Sequence, residues 1–349
     1  MESLFRYKKP HLIGIKGAGM TALAELLHRH GMRVTGSDTD EIFFTDEILH
    51  GLGISVSVGF APEHIPLDAD LIVYSTAYVP ERNTELHAAM AGSRPVLSYP
   101  EALGMLTREK LTLAVCGTHG KTTTSALLAD TLSYLGQDPS AIVGSRIMSW
   151  GGNALSGHGN YFVLEADEYQ NKLRHYDPFA VILTSIDYDH PDFFKTVEAY
   201  EQAFADFVAR IPAQGVLVYC ADSASVVRIA EAAHCRKISY GTHEEAQFRV
   251  TDYAPVTPGF VTEKDMFRQQ FSVVHDGITA SYRLRLAGIH NAENATAVVA
   301  LLSTLGLANE RLTGAIERFT GTERRFEYIG ERYGAMLYDD YAHHPEELR

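Results

Sequence analysis

Twice along this chain an apolar run breaks on a glycine turn and a helix-patterned stretch follows. The first instance is "HLIGIKGAGMTALAELL" from residue 11, and the second is "LTLAVCGTHGKTTTSALL" from residue 111. A strand that feeds a helix through glycines opens a βαβ unit, whose returning strand lies parallel to the first. Two such openings commit the chain to two α/β domains built on parallel sheets. In the first half, "MRVTGSD" (32–38) reads as the returning strand, "ADLIVYSTA" (69–77) as a further buried strand, and "RPVLSYPEALGML" (94–106) as a last strand with a connecting helix. In the second half, "NYFVLEADE" (160–168), "FAVILTSIDYDH" (179–190), "GVLVYCADS" (215–223) and "RKISYGT" (236–242) read as strands. "TVEAYEQAFADFVARI" (196–211) and "HNAENATAVVALLSTLG" (290–306) read as helices. Segment 246–286 alternates apolar and polar residues between turn signals, which predicts antiparallel strands. "GAMLYDDYAHHPEELR" (334–349) starts one more strand and helix.

A chain of 349 residues is long enough for two or three domains. The expected boundaries are a Rossmann-like domain over 1–108 and a central P-loop α/β domain over 109–327. A formal charge of −14 argues against a general nucleic-acid surface, which needs clustered Lys and Arg. Cys116, Cys220 and Cys235 form no CxxC pair and suit a reducing compartment. "MESLFRYKKPHLIGIKG" has no apolar run long enough for a signal peptide or a membrane span, so a cytoplasmic enzyme is expected.

The turn Gly17-x-Gly19-x-x-Ala22 sits where backbone can approach a diphosphate and a helix N-terminus can stabilise its charge. Asp38 falls where a ribose-binding acid sits in a dinucleotide site. NAD and other nucleotides both satisfy this turn, and a ligand-free βα turn is the plainer alternative. "GTHGKTTT" (117–124) is an abbreviated phosphate loop: the first glycine of the pattern G-x-x-x-x-G-K-[ST] is replaced by Val115. What remains still provides an anion-binding nest between Gly117 and Gly120, a charge at Lys121 and a hydroxyl at Thr122 for Mg2+. A glycine-rich turn with a solvated lysine does not account for the strand before it and the GKTT-headed helix after it, so ATP is the expected ligand. "EADE" supplies Glu165, Asp167 and Glu168, and "DYDH" supplies Asp187, Asp189 and His190. Both close strands, and in a parallel sheet ligands gather at the carboxyl ends. Solvated loop charges are the plainer reading of either cluster alone.

The chain resembles the Mur ligases, which add amino acids to the peptidoglycan precursor. "GTHGKTTT", "EADE", "DYDH" and "HNAEN" occur in the order and approximate spacing of that family. "GIKGAGMTALA", "GTERRFE" and "DDYAHHPEE" narrow the resemblance to the branch acting on UDP-N-acetylmuramate, and it runs from residue 11 to the end. It implies an ATP-dependent, Mg2+-assisted ligase that joins L-alanine to the lactyl carboxylate of UDP-N-acetylmuramate through an acyl phosphate. By the same resemblance Gly117, Thr118, His119, Gly120, Lys121, Thr122 and Thr123 cradle ATP. Thr122, Glu165 and His190 hold the metal, and His290 and Asn294 contact the nucleotide, with the asparagine on adenine. Gly17, Ala18, Gly19 and Met20, with Asp38 and Ser75, hold the UDP-sugar in place of NAD. Arg324 and Arg325 meet phosphate or carboxylate, a task suited to a planar fork of donors. Asp340, Tyr341, His343 and His344 enter from a third domain, with His343 on the substrate. Lys121, Glu165, His190 and Arg325 are the residues implied in catalysis.

Two departures from the family stand out. Several members carry a carbamylated lysine on the helix after the "DH" motif; its equivalent here is about Phe204, and the alanine-adding branch also lacks this lysine. The family also has a whole C-terminal Rossmann-like domain, of which 328–349 matches only the start. The expectation is that residues after 330 are poorly anchored unless they pack on the central domain, and that this chain binds UDP-N-acetylmuramate without ligating L-alanine at a useful rate. The competing readings are a ligase attaching a ready-made tripeptide to the same acceptor, an NAD-binding oxidoreductase, and a nucleotide-binding protein without catalysis.

Overall fold

The computed structural model describes residues 3–256 and 268–342. Two compact units divide the chain: residues 1–110 with 140–158, and residues 111–139 with 159–349. The first unit opens with β1 (Pro10–Ile13), α1 (Ala18–Arg29), β2 (Thr35–Asp38), α2 (Phe44–Gly51) and β3 (Ser55–Val58). It continues through β4 (Leu71–Tyr74), α3 (Thr84–Ala91), β5 (Val96–Ser98) and α4 (Tyr99–Thr107). The five strands run parallel in the order β3-β2-β1-β4-β5. Every residue of β1 is buried, as a central parallel strand covered on both faces requires. The order reverses direction beside β1, so the glycine turn after it opens at the crevice where doubly wound sheets bind ligands.

The chain then enters the second unit with β6 (Leu111–Cys116) and α5 (Lys121–Tyr134). It returns to the first unit for β7 (Ser140–Ile147) and β8 (Gly152–Leu155), an antiparallel pair packed on α1. Asn153 fixes that packing: its amide donates to Ala18 O at 2.8 Å and to Val143 O at 3.2 Å. Burial raises the pKa of Glu25 on α1, against the opposing pull of Arg29 and the backbone at Asn153 and Ala154.

The second unit resumes with β9 (Tyr161–Glu165), β10 (Ala180–Leu183), α6 (Val197–Val208), β11 (Val216–Cys220), α7 (Ala224–Ala230) and β12 (Arg236–Gly241). β13 (Phe248–Val256), β14 (Arg268–His275), β15 (Ile278–Leu284), α8 (Ile289–Thr304) and α9 (Leu312–Arg318) follow. Its strands lie in the order β15-β14-β13-β12-β11-β10-β6-β9. The pairs from β9 to β13 are parallel, and β14 runs antiparallel to both of its neighbours, β13 and β15. Over its described residues the sequence expectation for 246–286 holds, with the added fact that β13 joins the parallel part, and residues 257–267 lie outside the described residues. α6 buries Tyr200, Ala203, Phe204, Phe207 and Val208, the i, i+3, i+4, i+7, i+8 stripe of a helix with one covered face. Its first turn is capped by Thr196 Oγ1, which accepts from Ala199 N–H at 3.1 Å. α5 is instead buried all the way from Thr122 to Leu132.

β16 (Glu327–Arg332) and β17 (Ala335–Asp339) form an antiparallel hairpin. The sequence reading found β17 and missed β16. The hairpin is tied to the segment before it: Tyr341 N–H donates to Arg324 O at 2.9 Å, and Phe326 N–H donates to Asp340 Oδ2 at 2.8 Å. Both bonds close the open end of the hairpin, while Tyr333 at its turn is exposed. The helix expected further on lies outside the described residues. Among the described residues, no helix is long and apolar enough to cross a membrane.

A buried polar tie joins three elements of the first unit. His11 on β1 sits 2.9 Å from Thr35 Oγ1 on β2 and 2.7 Å from Glu85 Oε1 on α3, with Glu85 fully covered. Removing the ring leaves a buried carboxylate short of a donor. His11→Ala is expected to cost about 3 kcal/mol of stability, read as a lowered urea midpoint at unchanged slope. A loss under about 0.5 kcal/mol, the range of ordinary surface substitutions, would show that the ring only fills space.

Candidate active site

The loop between β6 and α5 turns on two glycines of positive φ, Gly117 and Gly120. Gly120 caps α5 with φ +78°, and a Cβ there would stand 2.8 Å from Asn294 Oδ1 on α8. Only glycine allows both the left-handed turn and this approach. The strand-end residues of β10 hold the loop from one side. Ser185 O accepts from Thr118 N–H at 2.8 Å, Ser185 Oγ accepts from His119 N–H at 2.9 Å, and Thr184 Oγ1 donates to His119 O at 2.6 Å.

The end of β9 holds it from the other side. Lys121 Nζ donates to Gly117 O at 2.6 Å and Thr118 O at 3.0 Å, and stands 3.1 Å from Glu168 Oε2. Burial works against the charge on Lys121, but Glu168, with Asp167 and Glu165, outweighs it and raises its pKa. Thr122 Oγ1 donates to Glu165 Oε1 at 2.7 Å. His190 has φ +56°, and its Nε2 lies 3.7 Å from Glu168 Oε1. Asp167, Glu168 and His190 each offer a ligand atom, all within 4.8 Å of one another, a spacing that suits a metal ion. Asp167 pairs with Lys172; burial opposes its ionisation, but Lys172 prevails and lowers its pKa. Of the residues named from sequence, the structure thus joins Thr122 to Glu165, and joins His190 to Glu168, an acid quoted in "EADE" but not singled out.

A cavity of about 570 Å³ extends from this loop. His119, Gly120, Thr122 and Thr123 line one part, and His290 and Asn294 of α8 line another. Burial lowers the pKa of His290, with Asp340 opposing, so a neutral ring is favoured. Arg325 lines the cavity too. Arg324 instead spends its side chain on Tyr341, 4.5 Å from the ring centre, and stands 3.8 Å from Asp339. Arg324 and Phe326 both adopt positive φ, +59° and +50°, and Arg325 between them also stands 5.7 Å from the Tyr341 ring centre. Asp340 lines the cavity, and His343 and His344 lie outside the described residues.

The N-terminal glycine turn belongs to the first unit. Gly17 caps α1, which begins at Ala18 and carries Met20 on its buried side. Gly19 faces a neighbour: a Cβ there would stand 2.5 Å from Tyr99 Oη of α4. Asp38 folds the turn shut by accepting from Lys16 N–H at 2.7 Å, with Tyr78 Oη donating at 3.1 Å. Ser75 N–H donates to Ile13 O at 2.9 Å, so its hydroxyl stands at the end of β4 beside that turn.

Sequence reasoning passed over a carboxyl pair on the cavity wall. Glu293 lines the cavity, and burial, followed by its hydrogen bond with Asp222, raises its pKa to about 7. Asp222 is meanwhile occupied by Thr242 N–H, Thr242 Oγ1 and His243 N–H at 2.6, 2.8 and 2.8 Å. The folded protein keeps a proton that an unfolded carboxyl of pKa 4.5 releases. Stability from this group is present below the unfolded value and is lost as pH rises through the folded one. The expected loss between about pH 5 and pH 8 is on the order of 2 kcal/mol, reduced for partial exposure. Urea unfolding of wild type and Glu293→Gln at both pH values checks this, and an equal pH dependence in the two proteins would refute it.

Comparison with known proteins agrees with this layout. A model of the Mur ligase middle domain matches residues 115–302, and one of the Mur ligase family catalytic domain matches residues 9–111. The chain is 39% identical over 341 residues to a UDP-N-acetylmuramate–L-alanine ligase of Desulfitobacterium hafniense (strain Y51), spanning 97% of this chain and 73% of that protein. The solved structure of UDP-N-acetylmuramate-alanine ligase from Thermotoga maritima superposes with a TM-score of 0.80 at 27% identity, covering 97% of this chain and 75% of that one. The UDP-N-acetylmuramate:L-alanyl-gamma-D-glutamyl-meso-diaminopimelate ligase from Neisseria meningitides gives 0.79 at 27% identity, covering 91% and 100%. The chain belongs to the Mur ligase family.

Proposed function

We propose that this protein is a UDP-N-acetylmuramate–L-alanine ligase of peptidoglycan precursor synthesis, working in the cytoplasm. The observation that carries the reading is a phosphate loop whose lysine is pinned between loop carbonyls and strand-end acids, in a chain 39% identical to a ligase of that name. A carboxylate is a poor acyl donor because its leaving group is oxide. In the proposed reaction a lactyl carboxylate oxygen takes the terminal phosphoryl group of ATP and ADP departs. The amine of L-alanine then attacks the acyl carbon, phosphate leaves, and the amine loses a proton as the amide forms.

This chain's residues supply positioning and charge. Lys121 and the loop N–H groups neutralise charge gathering on the transferring group. His290 and Asn294 hold the nucleotide, and Arg325 meets a phosphate or carboxylate. Gly17, Ala18, Gly19 and Met20, with Asp38 and Ser75, hold the UDP-sugar. Thr122, Glu165 and His190 would hold Mg2+, with Asp167 and Glu168 beside His190, since oxygen and imidazole donors suit that ion. Bound there, Mg2+ supplies Lewis-acid polarisation of the phosphoryl oxygens. The tripeptide-adding ligase on the same acceptor is the competing reading. L-alanine is favoured because curated relatives at 35–39% identity carry that name; the solved alanine and tripeptide enzymes, each 27% identical, do not separate the two readings.

Phosphate release with L-alanine, glycine, L-serine and tripeptide, with products identified by mass spectrometry, tests the amine. Turnover with tripeptide and none with L-alanine would transfer the assignment to the competing reading. In a version carrying the family's whole C-terminal domain, Lys121→Ala should lower turnover at least a hundredfold to a thousandfold, roughly 3–4 kcal/mol of transition-state stabilisation, with the fold intact by circular dichroism. His190→Ala should shift the Mg2+ titration of activity more than the affinity for ATP. A wild-type titration curve in that variant would make His190 a structural residue only.

A further inference from the structure

Tyr200 of α6 has no part in the reaction just described, yet it is completely buried beneath the phosphate loop. Its ring is fixed by Phe204 at 5.1 Å, Phe194 at 5.2 Å and Tyr188 at 5.9 Å between centres. Its hydroxyl lies 2.9 Å from Thr118 Oγ1 and 3.2 Å from Glu168 Oε1. Thr118 Oγ1 accepts from Asp187 N–H at 2.8 Å and also reaches Asp187 O at 2.8 Å. Burial pushes the Tyr200 phenol far above its ordinary range, and the nearby Glu168 adds to this, so the group stays a proton donor.

The hydroxyls of Thr118 and Tyr200 carry one proton each, and this permits two arrangements. In one, Tyr200 donates to Thr118, Thr118 donates to Asp187 O, and Glu168 receives nothing from the pair. In the other, Thr118 donates to Tyr200 and Tyr200 donates to Glu168. Glu168 is 1% exposed, with Lys121 as its nearby cation and His190 at 3.7 Å. If Lys121 turns toward a bound triphosphate, the carboxylate left behind needs a donor, since a buried charge without one is strongly disfavoured.

We propose that Tyr200 is a positioning residue for the phosphate loop, turning its proton from Thr118 to Glu168 as Lys121 engages the nucleotide's phosphates. This rests on the reading of Lys121 given above. Tyr200 touches neither substrate nor reacting atoms. It acts through Glu168 and lowers the cost of releasing the lysine.

The test uses the full chain. Tyr200→Phe keeps the ring and removes only the hydroxyl. It should raise the Kd for ATP, by calorimetry with Mg2+, and the KM for ATP by about tenfold or more, the worth of one hydrogen bond to a charged group. Affinity for UDP-N-acetylmuramate and the Tm should stay unchanged. In a Glu168→Gln background, where no carboxylate needs a donor, the same substitution should have little further effect. Tyr200→Leu loses ring and hydroxyl together, and restoring the ring as Phe should rescue Tm but not ATP affinity. An ATP Kd within about twofold of wild type in Tyr200→Phe overturns the proposal. So do parallel losses of Tm and of affinity for both ligands, which would mark a packing role. If the wild-type chain bound no ATP, the reading of Lys121 would fail and this proposal with it. Where wild type binds ATP, Tyr200→Phe alone decides.

Discussion

A primary ammonium group removed from water sets the terms for the second unit. Lys121 is largely covered, and a covered cation is tolerated only where donors and countercharge are arranged around it. Two loop carbonyls accept its protons, and Glu168 supplies the charge. That arrangement depends on strand order. β6 lies between β9 and β10, so the loop leaving it is flanked by the acids that end one neighbour and by Thr184 and Ser185 that follow the other. Moving β6 to a sheet edge would strip the loop of one wall. The buried α5 and α8 complete the enclosure, and Asn294 closes against Gly120.

Much of this was legible in the chain. The apolar runs and glycine turns located nearly every parallel strand, because a strand covered on both faces must be apolar throughout and must exit through residues free to turn. Lys121 and Thr122 could be named because a phosphate loop imposes its residues at fixed spacing, whereas Glu165 was picked out of "EADE" by the family resemblance. Other features depended on geometry that spacing does not encode. "EADE" offers three acids within four residues, and Glu168 is the one placed against the lysine, before a turn in which Gln170 and Asn171 take left-handed backbone. Tyr200 looked like one apolar-stripe residue among five. Arg324 and Arg325 were indistinguishable in the sequence, and in the structure Arg325 is the one that lines the cavity. β16 was missed because "EYIGER" is mostly exposed on both faces and carries no clear alternation.

The pairing of α1 with β7 and β8 was also invisible, for a different reason. Nothing local in "SAIVGSRI" or "GNAL" announces a partner more than a hundred residues upstream. The signal lies in α1, whose buried Glu25 and covered length require a lid that the first 110 residues do not provide.

That arrangement has a consequence for how the chain is made. During synthesis the first unit cannot finish when its last parallel strand emerges, because the strands that cover α1 are encoded after the phosphate loop and its helix. β6 and α5 therefore exist as nascent chain while the first unit is still open, and the flank of α1 that β7 and β8 cover, with Glu25 on it, waits exposed until residue 158. Two folding reactions overlap in time on one polypeptide, and the stretch from 111 to 139 is held by its ends before its own sheet partners β9 and β10 have been translated.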